Sequence, residues 1–258
     1  MRRKTTVFLF TLAIVSACGQ ETPPGTDGTS TSPSTETGDP VATSTGSADD
    51  TSVMMGGEYD SYYPLIDGAS WTYVATNSMG QATGTEIVDA VATEWDGKTG
   101  VVLTDNPNGN GEFTQSTIVR DGTIAYRVHK VVGTQTQPNL IVDYTPGFTR
   151  FDDAWTDVGV KGERVYVRVE SDGDGLNPDT EDRGHTYEVT AVDEEVTVAA
   201  GTFSCIVVER TRTTGATAGE RVVFWYAKGV GKVREERPAD NRIEELIAVS
   251  IPGGVVLP

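Results

Sequence analysis

The stretch WTYVAT, residues 71–76, alternates Trp71, Tyr73 and Ala75 with three β-branched residues. Successive side chains of a β-strand point to opposite faces, so a period of two predicts a strand. The same period, or a short run of β-branched and aromatic residues, recurs along the chain. These stretches are residues 113–120, 124–128, 165–167, 187–192 and 206–208.

Asp-Gly and Asn-Gly pairs separate several of the predicted strands. They stand at residues 67–68, 96–97, 108–109 and 121–122, and such pairs favour the positive φ angles of tight hairpin turns. The pattern indicates about ten to twelve strands and no helix. The sequence therefore predicts an all-β fold, a single antiparallel meander that forms a curled sheet, a half-barrel, a barrel or a sandwich.

Two halves of the predicted domain share a faint pattern. Trp71-Thr72 corresponds to Trp155-Thr156, and the run 88–91 corresponds to 189–192. Two pseudo-repeats of one ancestral unit would explain the pattern, and chance similarity between two β-rich halves is the alternative. The predicted boundaries are residues 58–252 for the domain, 60–143 and 144–250 for the pseudo-repeats, and 253–258 for a tail.

Residues 1–17 have the parts of a signal peptide. A basic start precedes the apolar run 7–17, which is shorter than the roughly 20 residues of a membrane-spanning helix. Val15-Ser16-Ala17-Cys18 resembles the lipobox of bacterial lipoproteins. The resemblance implies cleavage before Cys18 and acylation there, with chains such as palmitate holding the protein on a membrane. The alternative is an ordinary secretory signal beside a chance cysteine.

The residue after the lipobox cysteine bears on location. In lipoproteins of this kind, Asp after the cysteine often marks retention at the inner membrane, whereas this chain has Gly19. The predicted location is therefore the cell envelope, with the outer membrane favoured. Residues 18–57 are mostly Thr, Ser, Gly, Pro and Asp without Lys or Arg, a composition that predicts a disordered tether between anchor and domain.

The chain is strongly acidic, with a formal net charge of −18 at pH 7. Loss of the basic signal peptide would make the mature chain more negative still. Such a chain repels nucleic acid and anionic headgroups, so nucleic acid is excluded as a partner. Its negative charge favours solubility or the binding of divalent cations.

The inventory of catalytic residues is thin. His129 and His185 lie far apart in the sequence. His129 is predicted to be a surface residue at the end of a strand. His185 is predicted to be a solvated residue at a strand edge, with a contact that stabilises the acidic loop as the alternative. No GxSxG, HExxH, P-loop, GxGxxG or CxxC motif is present, so no catalytic residue and no firm cofactor is assigned. Cys205 would lack an intramolecular partner once Cys18 is acylated. Its apolar surroundings predict a buried, inert thiol, and a disulfide between two chains is the alternative.

Residues 222–227 are apolar on both faces of a predicted strand, which indicates a strand covered on both sides. The functional alternative is an aromatic ligand shelf at Trp225 and Tyr226. Gly229 and Gly231 fit a tight turn or bulge. The strand after them is expected to present Lys232, Arg234 and Glu236 to solvent.

Two segments carry a family resemblance. YYPLIDGASWTY, residues 62–73, resembles the opening of a broad class of uncharacterised bacterial secreted lipoproteins. VTVAAGTFSCIVVERT (196–211) and FWYAKGVGKVREE (224–236) resemble the C-terminal half of the same class. The resemblance implies a secreted β-domain without assigned chemistry. More remotely, such domains are similar to the curled sheets of the Lol-type lipoprotein carriers, although this chain lacks a clear helical lid.

The acidic stretch from Glu170 follows the pattern E-x-D-x-D-G-x5-E, which resembles an EF-hand calcium loop. Pro178, Asn177 and the flanking predicted strands depart from that pattern, and a solvated acidic hairpin loop is the alternative. The predicted calcium ligands are Glu170, Asp172, Asp174, Leu176 and Glu181.

Three functional hypotheses follow. The first is a membrane-anchored, non-enzymatic module of the cell envelope that binds or scaffolds an unidentified protein or lipid. The second is a carrier or chaperone with an apolar cavity for lipid or a lipidated segment. The third is a calcium-stabilised surface module. The carrier requires an open apolar groove among Trp71, Tyr126, Trp155, Trp225 and Tyr226.

Overall fold

A computed structural model describes residues 57–108, 110–134 and 136–257. The predicted signal peptide, the lipidation residue Cys18 and the tether up to residue 56 lie outside these ranges. Thirteen strands run through the described chain. They are β1 (Ser70–Asn77), β2 (Ala82–Trp95), β3 (Lys98–Asp105), β4 (Phe113–Asp121), β5 (Ile124–Thr134), β6 (Gln137–Asp152), β7 (Lys161–Asp172), β8 (Asp179–Val198), β9 (Gly201–Arg212), β10 (Arg221–Ala227), β11 (Gly231–Arg237), β12 (Arg242–Ser250) and β13 (Val256–Leu257).

Each strand pairs antiparallel with the next along the chain, and β1 also pairs with β12. The predicted meander is therefore confirmed, and of the predicted architectures the one observed is a closed barrel of the first twelve strands. Closure leaves β1 and β12 without a free edge, which a half-barrel would expose. Within the described ranges the helical structure is limited to a single 3₁₀ turn at Pro238–Asp240, and no helix there is long and apolar enough to cross a membrane.

The turn pairs behave as the sequence predicts. Asp96 and Gly97 join β2 to β3 with φ of 50° and 71°, the two positive values of a type I′ turn. Gly122, between β4 and β5, has φ of 59°. Gly109 lies outside the described residues. These turns fix the order of the meander because each reverses the chain within two or three residues.

The segment before β1 packs against one end of the barrel. The Arg120 guanidinium donates to Glu58 and Asp153, each at 2.7 Å, and to the carbonyl of Tyr63 at 2.8 Å. Ser61 donates to Asp153 and accepts from the same guanidinium. This network places the ring of Tyr63 against Tyr226 inside the barrel, 6.0 Å between centroids.

Residues predicted as a tail form part of the sheet. Val256 and Leu257 make up β13, which pairs with Ser250 and Val249 at the end of β12. The domain thus continues beyond the predicted boundary at residue 252, because the chain returns to the strand it has just left. No observation tests the proposed pseudo-repeats 60–143 and 144–250, which stay a prediction.

Hydrophobic side chains form three buried clusters. The largest includes Trp71, Leu246 and Ile251, and the second is built from aromatic rings around Phe151 and Trp155. The third joins Val142, Tyr144, Phe148 and Tyr166. Cys205 belongs to the first cluster and is only 1% exposed. Its predicted burial is confirmed, and burial raises the pKa of the thiol to about 12.

Candidate functional site

A cavity of about 360 Å³ opens into the barrel, between the inward faces of strands at both ends of the chain. It is lined by β1 to β6, β11, β12 and the segment before β1. Its charged lining residues are Glu86, Asp105, Arg127, Lys130, Arg150, Lys232, Glu235, Arg237, Arg242 and Glu244. The cavity is therefore polar, although Trp71, Val88 and Leu103 form part of its wall. We call it the first cavity.

Arg127 and Lys130 both reach the first cavity although they are three residues apart on β5. Strict alternation would put residues of that spacing on opposite faces. The register between β5 and β6 shifts between Arg127 and His129, which indicates a β-bulge, and a bulge re-aims the side chains beyond it. Arg150, on the neighbouring strand β6, joins them in the lining.

One side of the first cavity is an ion-pair network. Lys232 lies 3.1 Å from Glu235 and also contacts Glu244. Glu244 accepts from Arg242 at 2.6 Å, and Glu235 pairs with Arg237. Burial by itself would raise the pKa of Glu235, but Lys232 and Arg237 outweigh it and hold that pKa well below its usual range. Glu235 is therefore ionised, and its charge is compensated by these two cations.

The position of Lys232 corrects the expectation that it faces solvent. The register between β10 and β11 shifts between Trp225 and Tyr226, so that Tyr226 pairs with Lys232 and Trp225 with Arg234. The bulge turns Lys232 to the same face as Tyr226, inside the barrel. Its ammonium lies 4.5 Å from the centre of the Tyr73 ring, and its side chain is 17% exposed.

The other side of the first cavity holds cations without carboxylate partners. No salt bridge in the described part of the chain includes Arg127, Lys130 or Arg150. The Nε of Arg127 is buried without a hydrogen-bond partner. Burial, with Arg127 beside it, lowers the pKa of Lys130 to about 8. Burial, with Arg150 beside it, also lowers the pKa of Arg127.

Asp105 faces these cations from β3. Burial and the neighbouring Glu86 raise its pKa to about 7, and Arg127 only partly offsets them. Two carboxyl groups that share a confined space cannot both ionise freely. The charge of the first cavity therefore changes near neutral pH, because Asp105 gains its negative charge there.

A second cavity, of about 200 Å³, is lined by four arginines and His185. The arginines are Arg168, Arg183, Arg210 and Arg212. Glu181 accepts from Arg183 at 2.6 Å and from Arg212 at 2.9 Å, and Arg168 pairs with Glu170. Arg210 instead lies over the rings of Phe148 and Phe224, at 5.1 and 5.0 Å.

His185 corrects a second expectation, since it is not a solvated residue. It is 7% exposed, and its ring stacks on Tyr166 with 5.8 Å between centroids. Burial and the nearby Arg210, Arg212 and Arg183 lower its pKa to about 3. Its ring contacts Phe148 and Tyr166 of the third cluster, on other strands, and the local sequence does not reveal such contacts. His129, in contrast, stacks on Trp95 and contacts Asp143 at 2.6 Å.

Phe148 lies between the two cavities. The guanidinium of Arg150 is 5.6 Å from the centre of its ring, and that of Arg210 is 5.1 Å away. Of the 20 lysines and arginines in this acidic chain, six line the first cavity and four line the second. Half of the lysines and arginines thus line one of these two cavities.

The predicted calcium loop occupies the β7–β8 hairpin. Glu170 and Glu181 pair with arginines, as described above, and Asp172 accepts from the side-chain amide of Asn177 at 2.6 Å. Asp174 accepts from the backbone of Leu176, whose side chain is exposed. The described residues contain no group of three or more His, Cys, Asp or Glu that could hold a metal ion. Calcium binding stays an untested prediction.

Trp225 and Tyr226 lie on opposite faces of β10. Tyr226 is 1% exposed and packs on Phe151, with 5.0 Å between centroids. Trp225 is partly exposed, donates to Glu194 at 2.9 Å and lies under the guanidinium of Arg234. The two rings therefore do not form a common shelf. Trp71 and Trp155 are also buried, and Tyr126 does not line the first cavity.

One family model matches part of the chain. The family model described as DUF3108-like matches residues 184–247, which run from β8 into β12. No curated protein matches the chain.

Two solved structures resemble the chain at 14% identity. One, from Bacteroides fragilis NCTC 9343, is described as an exported protein with a YmcC-like fold; the match covers 73% of this chain and 98% of that one, with a TM-score of 0.46. The other, from Parabacteroides distasonis ATCC 8503, is described as a lipoprotein; the match covers 74% and 99%, with a TM-score of 0.38. Neither likeness is close enough to support an argument about function.

Proposed function

We propose that this protein is a lipid-anchored module of the cell envelope, held on a membrane through Cys18, and that its barrel binds a small polar ligand without chemical conversion. The lipobox and Gly19 support the anchor and favour the outer membrane. The charged first cavity supports the binding role. A volume of about 360 Å³ falls in the range of small-molecule pockets, roughly 300–1,000 Å³.

The observation that carries this proposal is a buried cavity with uncompensated polar groups. A barrel that serves only as a scaffold can fill its interior with apolar side chains. Ten charged side chains line the first cavity, and three of them, Arg127, Lys130 and Arg150, have no salt-bridge partner among the described residues. Burying charge costs free energy unless it is paired. A ligand that contacts these charged side chains would account for their presence in the cavity.

The carrier hypothesis requires an apolar interior instead of a charged one. Lipid chains are held by apolar surface, whereas the rings of Trp71, Trp155 and Tyr226 are buried against other side chains. A fluorescent fatty-acid probe separates the two functions. Saturable uptake of the probe by the barrel would support the carrier in place of the polar binding module.

The ligand itself can be identified by mass spectrometry of the protein purified from its own membranes. A small molecule released on denaturation is expected in the wild type. Thr114→Phe should lose it, because Thr114 lines the first cavity and the larger ring would occupy the space. Gln115→Phe, on the same strand but exposed, is the matched control and should retain the molecule. Loss from neither variant, or no released molecule at all, contradicts the proposal.

The anchor has its own test. Cys18→Ser should leave the precursor uncleaved by the lipoprotein signal peptidase and unlabelled by palmitate analogues, because the acylated thiol is missing. Cys205→Ser is the control and should be processed and labelled like the wild type, since that thiol is buried. Normal processing of Cys18→Ser, with continued sedimentation in the membrane fraction, would show that the anchor is assigned wrongly.

A further inference from the structure

We propose that the first cavity binds a small oxyanion, a carboxylate or a phosphate-type group, between Arg127, Lys130 and Arg150. The inference rests on the proposed binding function and names the chemical class of its ligand. It follows from the asymmetry of the cavity, in which one side is an internally paired network and the other is a group of unpaired cations.

The glutamates on the paired side of the first cavity have little affinity for a ligand, because cations of the protein already contact them. Glu235 and Glu244 are each contacted by two cations, Lys232 with Arg237 and Lys232 with Arg242. Glu86 lies 3.5 Å from Arg242. A cationic ligand would have to compete with these contacts, which are already made inside the protein and need no further ordering.

The opposite side contains the groups that an oxyanion would satisfy. Arg127 and Arg150 carry planar guanidinium groups, which match carboxylate and phosphate oxygens in two-point contacts. Arg150 has one hydrogen bond, from its Nε to the hydroxyl of Tyr63 at 3.4 Å, which leaves its terminal nitrogens for a ligand. Lys130 adds a third cation to the same cavity wall.

The size of the cavity limits the ligand. Water occupies roughly 30 Å³ per molecule in the liquid, so about 360 Å³ accommodates a molecule of about ten non-hydrogen atoms with some water. A lipid does not fit this space, whereas a small carboxylate or phosphate does. Because the chain as a whole is acidic, the attraction is local to the cavity and is strongest for an anion already inside it.

Asp105 provides an internal control, because its charge is opposite to that of the three cations. It lines the same cavity as the three cations, so its negative charge opposes a bound anion. Removing that charge should strengthen oxyanion binding, whereas removing Arg127 should weaken it. A cationic or neutral ligand would not respond to both substitutions in these directions.

The experiment is calorimetric titration of the full-length protein in non-ionic detergent with sulfate and, separately, acetate, at constant ionic strength set with chloride and at pH 7.5, where Asp105 is largely ionised. Arg127→Gln should weaken binding at least tenfold, and Asp105→Asn should strengthen it several-fold. Arg183→Gln, which changes an arginine of the second cavity, is the matched control and should bind as the wild type does. The stronger of the two probes shows whether the ligand group is tetrahedral or a carboxylate.

Several outcomes would overturn the inference. Weakening by Arg183→Gln but not by Arg127→Gln would place the anion in the second cavity. Weaker binding in Asp105→Asn, or no binding of either probe, would exclude an oxyanion in the first cavity. If the wild type co-purifies with a molecule that Thr114→Phe loses, the binding function stands and only the ligand class is wrong. If Thr114→Phe retains that molecule, the binding function and the ligand class are both wrong. If Arg127→Gln does not fold, the Asp105→Asn result decides alone.

Discussion

At the residue scale, Lys232 is the cation on which the paired side of the first cavity depends, because it contacts both Glu235 and Glu244. Lys232→Met should destabilise the fold by about 3 kcal/mol, since it leaves two buried carboxylates with one cation fewer. Urea unfolding of the full-length protein measures this. Lys161→Met removes a pair with Glu188 that is exposed and should cost about 0.5 kcal/mol or less. Equal losses in the two variants would contradict the assigned role of Lys232.

His185 makes a residue-scale prediction about pH. Its pKa is lowered to about 3 in the fold, so as the pH falls below 6.5 the unfolded chain binds a proton that the folded chain does not. Stability is therefore lost from about pH 6.5 downward, by about 2 kcal/mol from this group at pH 5. In His185→Gln the unfolding free energy should fall less steeply between pH 7 and 5. The same slope in both proteins would show that His185 is not held neutral.

At the element scale, the close pairing of β3 and β4 depends on Gly100. A Cβ at this position would lie 2.0 Å from the carbonyl oxygen of Ile118 and 2.8 Å from the Cα of Val119, so the strands would have to move apart. Gly100→Ala should cost about 1–3 kcal/mol. Gly84, in β2, has no atom within 4 Å of a Cβ, and Gly84→Ala should change stability by less than about 1 kcal/mol. Thermal or urea unfolding compares the two, and equal effects would contradict the close approach.

Strands and turns were predictable from the sequence for a physical reason. Alternation at 71–76 and positive-φ pairs such as Asp96-Gly97 act between neighbours in the chain, so their consequences are visible locally. The bulges were not predictable, since a register shift depends on the partner strand. Lys232 was misplaced for that reason, because the shift opposite Trp225 and Tyr226 turns it inward.

At the scale of the whole molecule, the candidate site exists only because the barrel closes. Arg127 and Arg150 come from the middle of the chain and Glu244 from its end, and the pairing of β1 with β12 encloses them in one interior. No local sequence motif predicts that these residues come together. The alternation of Ile124, Tyr126 and Val128 assigns Arg127 to the other face of its strand, so the local sequence does not predict that this residue lines the cavity.

The net charge of the barrel interior is a property of the whole molecule, because strands from both ends of the chain contribute to it. Two groups titrate near neutrality: Asp105, with a pKa of about 7, and Lys130, with a pKa of about 8. The other charged or titratable groups that face this interior, by element, are Tyr63 before β1, Tyr73 on β1, Glu86 on β2, Arg127 on β5, Arg150 on β6, Lys232, Glu235 and Arg237 on β11, and Arg242 and Glu244 on β12.

Between pH 6 and pH 9 the interior should lose about two units of positive charge, as Asp105 becomes ionised and Lys130 becomes neutral. Sulfate keeps its charge over this range, so its affinity should fall at least tenfold from pH 6 to pH 9 at constant ionic strength. In Asp105→Asn the fall should be smaller and should begin near pH 8, where only Lys130 titrates. Calorimetric titration with sulfate at pH 6, 7, 8 and 9 measures both proteins. An affinity that is constant or rises with pH would show that these two groups do not face the bound anion.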